Sequence, residues 1–300
     1  MIDIVSACDA VLMKGNQNRP RYTNRSSDIG DDCERKLVYE RTRWQDKKPH
    51  EIGLLYVFAM GSRLEDPVVR QMQEGGVKII RQQEPFEHKS NGEVLLSGHI
   101  DGIVSDEEAE CVLEIKTMNE HIWEHTNSAE DFKRHHWTRK YPPQLNAYCF
   151  GLEITQGVWL LVNKSNGRLK QIPWQLDYGM AEQTLQRCER INKHCKENTL
   201  PDFLPNTPEA ADYCEGCAFF EICKPPINRE SLQLIVDKDL IAMVDEMFSM
   251  HENSKRYEHL KDTLKDTKLA GIKKAAIGPY LYDGRKRIWT ARWTRPSTSA

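Results

Sequence analysis

The spacing of apolar and polar residues changes rhythm several times along this chain, and each change marks an element. Residues 54–73 repeat apolar positions at helical spacing and predict one long helix. After Gly75-Gly76 the period shortens to two, so that 77–80, 84–88, 94–104 and 110–116 alternate as strands, with Asn91-Gly92 as a turn signal. Those four segments predict a meander. Tyr141-Pro142-Pro143 then opens a helix at its prolines. Residues 157–162 and 169–175 read as strands joined at Asn166-Gly167, and 180–197 as a further helix. Strands, helix, hairpin and helix in this order predict an α/β domain, a mixed sheet flanked by helices.

The flanks read differently. Residues 1–60 read mostly as helices and loops, with a helix starting at Cys33. A proline-rich link at 201–208 leads into a cysteine-rich segment. From 232 to 269 Leu240, Val244, Met247, Phe248, Tyr257, Leu260 and Leu264 form a helical stripe, and 280–293 predicts a hairpin turning at Asp283-Gly284. The expected organisation is a helical region at 1–60, a core at 61–200, a cysteine segment at 201–228, and a helical extension with a basic hairpin at 229–300.

Composition narrows the function. With 39% hydrophobic and 29% charged residues and a formal charge of -3, the chain is not a globally basic nucleic-acid binder. Positive charge must act locally. Lys133, Arg134, His135, His136, Arg139 and Lys140, with Trp137 among them, form the densest basic and aromatic patch and are candidates for nucleic-acid backbone contact. Arg285, Lys286, Arg287, Arg292 and Arg295, with Trp289 and Trp293, form a second. No apolar run approaches a membrane span and the first residues lack a basic leader, which predicts a cytoplasmic protein.

Nine cysteines, an odd number in a reducing compartment, do not read as a disulfide framework. Cys8, Cys111, Cys149, Cys188 and Cys195 are scattered and read as small buried hydrophobes. Cys214, Cys217 and Cys223 cluster before Pro225-Pro226 and predict a metal or cluster site, with Cys33 the candidate for its fourth ligand.

Residues 98–117, GHIDGIVSDEEAECVLEIKT, carry the densest chemistry. They read as two strands of a hairpin presenting Asp101, Glu114 and Lys116 together. Two carboxylates sharing a site repel unless a cation lies between them, and hard divalent ions favour such oxygen ligands. Glu114 and Lys116 stand two apart and so share a strand face. Gln144 and Tyr148 lie one turn apart on the helix that follows. His121 and His125 could share a helix face as metal ligands, but no HExxH glutamate accompanies them.

Gly98-His99-Ile100-Asp101, Glu114-Ile115-Lys116 and Gln144-x-x-x-Tyr148, in that order, resemble the PD-(D/E)XK nuclease superfamily, and within it the RecB-like branch. The proline of the family's name is absent here, and Glu65 stands where the branch usually carries a histidine after Gly61. Cys33 with Cys214, Cys217 and Cys223 is similar to the iron-sulfur staple of CRISPR-associated exonucleases, the AddB nuclease domain and phage-borne relatives.

The resemblance implies a restriction-endonuclease-like fold and a metal-dependent DNA exonuclease acting on single strands or ends. Asp101, Glu114 and the carbonyl of Ile115 would bind magnesium or manganese, with Glu65 as a supporting ligand. Lys116 would orient water, and Gln144 and Tyr148 would fix Lys116 or the DNA strand. The four cysteines would hold a four-iron four-sulfur cluster, with zinc as the other occupant. The implied settings are recombination, phage DNA processing or CRISPR adaptation, beside a recombination, annealing or CRISPR-integrase protein. The alternative is a DNA-binding scaffold on the same fold with little or no catalysis.

Overall fold

The computed structural model describes residues 2–283 apart from 91, 107–108, 206, 225–232, 236, 250–253, 265–268, 273 and 278–279. Residues 1–223 form one compact unit and 224–300 a second. Among the described residues no helix is long and apolar enough to cross a membrane.

The first unit is built on a five-stranded sheet of order β2-β5-β6-β7-β8. Its strands are β2 (Lys78–Ile80), β5 (Gly102–Ser105), β6 (Glu110–Met118), β7 (Gln156–Asn163) and β8 (Leu169–Gln175). All pairs are antiparallel except β6 with β7, whose parallel pairing requires a crossover. The crossover contains α4 (Glu120–His125), a short 3-10 helix (Ala129–Arg134) and α5 (Tyr141–Leu152). Trp159, fully buried in β7, packs edge-on against Phe132 and Trp174 and centres the core.

The predicted meander is not what forms. Residues 94–104 split at Ile100-Asp101: β4 (Glu93–His99) joins β3 (Pro85–Ser90) and the two-residue β1 (Asn24–Arg25) in a separate sheet, while β5 joins the large one. The alternation of apolar residues continues across the break, so periodicity gave no sign of it. Gly98 stands just before the break, where a Cβ would lie 2.5 Å from the Tyr148 hydroxyl oxygen. Only a residue without a side chain lets the two approach so closely.

Helices cover the sheets. α2 (Glu34–Thr42) begins at Cys33, whose Sγ accepts from the Lys36 amide at 3.4 Å, and α6 (Tyr178–Glu197) packs beside it. The basic residues of α2 are tied into the fold: Arg41 bonds Asn24 and Asn192, and Arg35 stacks over Phe203 at 3.9 Å while donating to the Pro201 carbonyl. α1 (Ile4–Gly15) and α3 (Ile52–Glu74) lie against each other, α1 burying none of its residues. Cys8 on α1 is therefore exposed, against expectation, whereas Cys149 and Cys188 are buried and Cys111 and Cys195 partly so.

The second unit has its own core of Leu240, Val244, Met247, Leu260, Leu264, Leu269, Ala275 and Ile277. They come from α9 (Lys238–Ser249), α10 (Ser254–Thr263), the segment after it, and β10 (Lys274–Ile277), which forms a sheet with β9 (Gln233–Ile235) and β11 (Tyr280–Asp283). The predicted stripe thus supplies much of that core. β11 pairs with the preceding β10. The expected turn at Asp283-Gly284 and the basic residues 285–295 lie outside the described residues.

Candidate active site

The site grows from the way β6 is paired. Its antiparallel ladder with β5 ends at Gly102 opposite Leu113, while the ladder with β7 runs on to Met118 opposite Asn163. Past Leu113, Asp101 takes over from β5: its Oδ2 accepts from the Ile115 amide at 2.6 Å. Glu114 and Lys116 share the strand face turned toward α5, and Lys116 Nζ donates to Glu114 Oε1 at 2.5 Å. The three residues read from the sequence stand together because β5 begins one residue after the first and its pairing with β6 stops one residue before the second.

α5 completes the arrangement. Gln144 Nε2 donates to Glu114 Oε1 at 2.8 Å, so Gln144 reaches the glutamate rather than Lys116. Tyr148 donates to the His99 carbonyl at 2.9 Å, fixing the backbone two residues before Asp101. Burial pushes the Tyr148 hydroxyl up to about 12, with the charge of Glu114 adding to it. The Lys116 ammonium lies 5.0 Å from the Tyr141 ring centroid, a cation–π contact. Tyr141 went unassigned in the sequence, although it precedes Gln144 by three and so shares its helix face.

On the other side stand Glu65 of α3 and Gln83 of the β2–β3 loop. Gln83 Nε2 donates to Glu65 Oε1 and, at 3.4 Å, to Asp101 Oδ1. Nothing in the sequence pointed to Gln83, since it belongs to an aperiodic polar loop and to no motif.

Three acids around a single lysine hold protons tightly. Burial first and then the charge of Asp101 push Glu114 up to about 8. Burial raises Asp101, against the opposing Lys116 charge and Ile115 amide. Burial and the charge of Asp101 raise Glu65. Burial would lower Lys116, but Glu114, Tyr141 and Asp101 outweigh it, and the ammonium stays protonated. Among the described residues no three carboxylate, imidazole or thiol groups converge at one ion's spacing, and Lys116, Gln144, Gln83 and the Ile115 amide occupy carboxylate oxygens of the acids.

The donor set nonetheless fits a hard divalent cation. Glu114 Oε2 is buried without a hydrogen-bond partner, which is costly unless something positive satisfies it. A pH dependence follows. Below about 8 Glu114 retains its proton, so a cation must displace it, and affinity should rise with pH until Glu114 ionises unaided. Manganese titrated calorimetrically in buffers of different ionisation enthalpy should release ~1 proton near about pH 7 and almost none near about pH 9.

The segment carrying Cys214, Cys217 and Cys223 packs near Cys33, although among the described residues no three thiols stand at metal-ligating spacing. Residues 201–223 fold against α2: the Lys48 amide donates to the Ala218 carbonyl at 2.8 Å, the buried Phe219 ring lies 5.6 Å from Tyr39, and Tyr213 bonds Asp31. Cys214 ends α7 (Pro208–Glu215), the Cys217 amide bonds the Cys214 carbonyl, and Cys223 closes the short α8 (Phe220–Cys223). Burial pushes the Cys33 thiol up to about 12, and the charges of Asp31, Cys223 and Cys217 add to it.

The basic patch is less positive than its sequence. Arg134 pairs with Asp131 at 2.8 Å, Arg139 with Asp32 at 3.1 Å and Lys140 with Asp28 at 3.4 Å, while His135 stacks on Trp137 and His136 meets Tyr213 edge-on. The exposed His121 and His125 rings stand 4.4 Å apart on α4.

A mixed sheet sets Asp101 just before β5, beside Glu114 and Lys116 within β6, and the class this arrangement belongs to is given by the family comparison. The family profile of the PD-(D/E)XK nuclease superfamily matches residues 13–224, and the chain belongs to that superfamily. Its members use divalent metals and act on nucleic acid, and this chain is a nuclease by family. No curated protein sequence matches it significantly. Among solved structures it is similar to SSO0001, at 16% identity over 76% of this chain and 99% of the other, with a TM-score of 0.45. It is also similar to the alkaline exonuclease LHK-Exo of Laribacter hongkongensis, at 14% identity over 59% of this chain and 89% of the other, with a TM-score of 0.42. The dAMP complex of LHK-Exo gives 13%, 58%, 88% and 0.40 in the same order.

Proposed function

We propose that this protein hydrolyses DNA phosphodiester bonds with magnesium or manganese, working as an exonuclease on single strands or ends. The observation that carries the reading is the buried, unpartnered Glu114 Oε2 beside Asp101 and Lys116. Asp101, Glu114 and the Ile115 carbonyl would hold the cation, with Glu65 in support. The cation would supply Lewis acidity at the phosphate and a more acidic water.

The protein's own groups do the rest. Lys116, kept protonated by the acids around it, orients the attacking water and offsets charge growing on the scissile phosphate. Gln144 fixes Glu114, and Tyr148 fixes the turn that aims Asp101. Cys33, Cys214, Cys217 and Cys223 would hold a four-iron four-sulfur cluster that ties α2 to the segment after the core. The preference for ends and the cluster both rest on the resemblance to the RecB-like branch.

The test is cleavage of labelled DNA by anaerobically purified protein, on linear, circular and 5′- or 3′-blocked substrates. Cleavage with magnesium or manganese that stops with chelator, spares circles and is arrested by one of the two blocks is expected. Cutting of circles would replace the exonuclease by an endonuclease. Binding without any cleavage would leave only a DNA-binding scaffold.

A further inference from the structure

Gln83 lies in a loop whose geometry is hard to explain by packing. Arg81 and Gln83 both adopt left-handed backbone, with φ of 51° and 53°, and neither is glycine. That conformation is unfavourable for residues with a side chain, and where it persists the surroundings enforce it.

The enforcement is visible on both sides of Asp101. On one side the Ile100 amide donates to the Glu84 carbonyl at 3.1 Å. On the other, β2 pairs Ile80 with Ile103 and packs so close to Gly102 that a Cβ there would lie 2.8 Å from the Ile79 side chain, with the Gln82 Cα at 4.0 Å. Arg81 closes the loop on itself by gripping both carboxylate oxygens of Glu84, at 2.7 and 2.8 Å. The result of this pinning is one contact: the exposed amide of Gln83 bridges Glu65 and Asp101, two carboxylates that would otherwise repel.

From this geometry we infer that Gln83 is a positioning residue of the metal site, and that it acts by holding Glu65 to Asp101. The inference rests on the proposed reading of the site as a metal-dependent nuclease. The amide offers two N–H donors and no charge, so it can bring the carboxylates together without competing as a cation. Each carboxylate oxygen that Gln83 engages keeps a second lone pair for a metal. Glu65, whose place on α3 makes it an outlying acid, thereby becomes a member of the same site. Second-sphere hydrogen bonds of this kind orient ligands and strengthen metal binding.

The experiment is manganese binding followed by the electron paramagnetic resonance of the free ion, with thermal melting alongside. The parent is compared with Gln83→Gly, Glu65→Gln, the double variant and Asp101→Ala. Glycine removes the amide and accepts the left-handed backbone, so Gln83→Gly should melt no lower than the parent. Its manganese affinity should fall by about 10- to 100-fold. Because Gln83 acts through Glu65, the double variant should bind little worse than either single one. A purely structural loop residue would lower the melting temperature and leave affinity alone. Parent-like affinity in Gln83→Gly, or losses that simply add in the double variant, would overturn the role of Gln83. If Asp101→Ala also binds as the parent does, the metal-site reading itself has failed.

Discussion

Lys116→Ala should slow DNA cleavage at saturating manganese by about a thousandfold, with the protein still folded. Lys116 is the ammonium among the three acids, and its loss removes the charge that faces a developing phosphate transition state. The stability cost should be small for a buried pair. Removing one partner of such a pair usually costs about 3–5 kcal/mol because an uncompensated charge stays behind. Here Glu114, raised to about 8, already holds its proton at neutral pH, so the loss of Lys116 leaves no charge on it.

Asp101→Ala should fail differently. It loses a metal ligand and frees the Ile115 amide that Oδ2 now accepts from, so manganese affinity should fall along with the rate. Single-turnover cleavage across a manganese titration separates the two: the lysine variant should stay slow at saturation, and the aspartate variant should need more metal. Parent-like turnover by the lysine variant would remove it from the mechanism.

The second large effect is expected at Cys217. Cys217→Ala in anaerobically purified protein should bleach the brown colour of an iron-sulfur cluster and lower stability by about 4 kcal/mol, as loss of a metal centre does. For a unit of this size that is about 10 °C of melting temperature. The reason is topological. Cys33 begins α2, whereas Cys214, Cys217 and Cys223 follow the entire core, so a shared cluster closes a long loop. Without it, Tyr213 on Asp31, Phe219 on Tyr39 and Lys48 on Ala218 must hold the segment alone. Cys8→Ala on the exposed α1 is the control and should change neither colour nor melting. A colourless parent with stoichiometric zinc would assign the thiols to zinc.

Local order made much of this protein readable. Period-two alternation located β2, β3, β7 and β8 to within a few residues, prolines located α5, and a strand's two-residue repeat put Glu114 and Lys116 on one face. Cysteine spacing set Cys214, Cys217 and Cys223 apart from the scattered thiols, because those three keep short intervals in the chain, whereas nothing local points to Cys33. The basic patch at 133–140 was legible as composition but not as electrostatics. Its partners Asp28 and Asp32 lie about a hundred residues away, and no local pattern encodes such pairings.

The sequence by itself determined the α/β class, the acid, acid and lysine set, and the helix that carries Gln144 and Tyr148, since each depends on neighbours within a few residues. The tertiary structure alone decided that residues 94–104 break between two sheets, that Asp101 caps the edge of β6, and that Gln144 grips Glu114. It alone brought Gln83 to Glu65 and Asp101, and the segment after the core to the start of α2. Those contacts depend on where pairing stops and on which loops are pressed together, and such events leave no period in the chain.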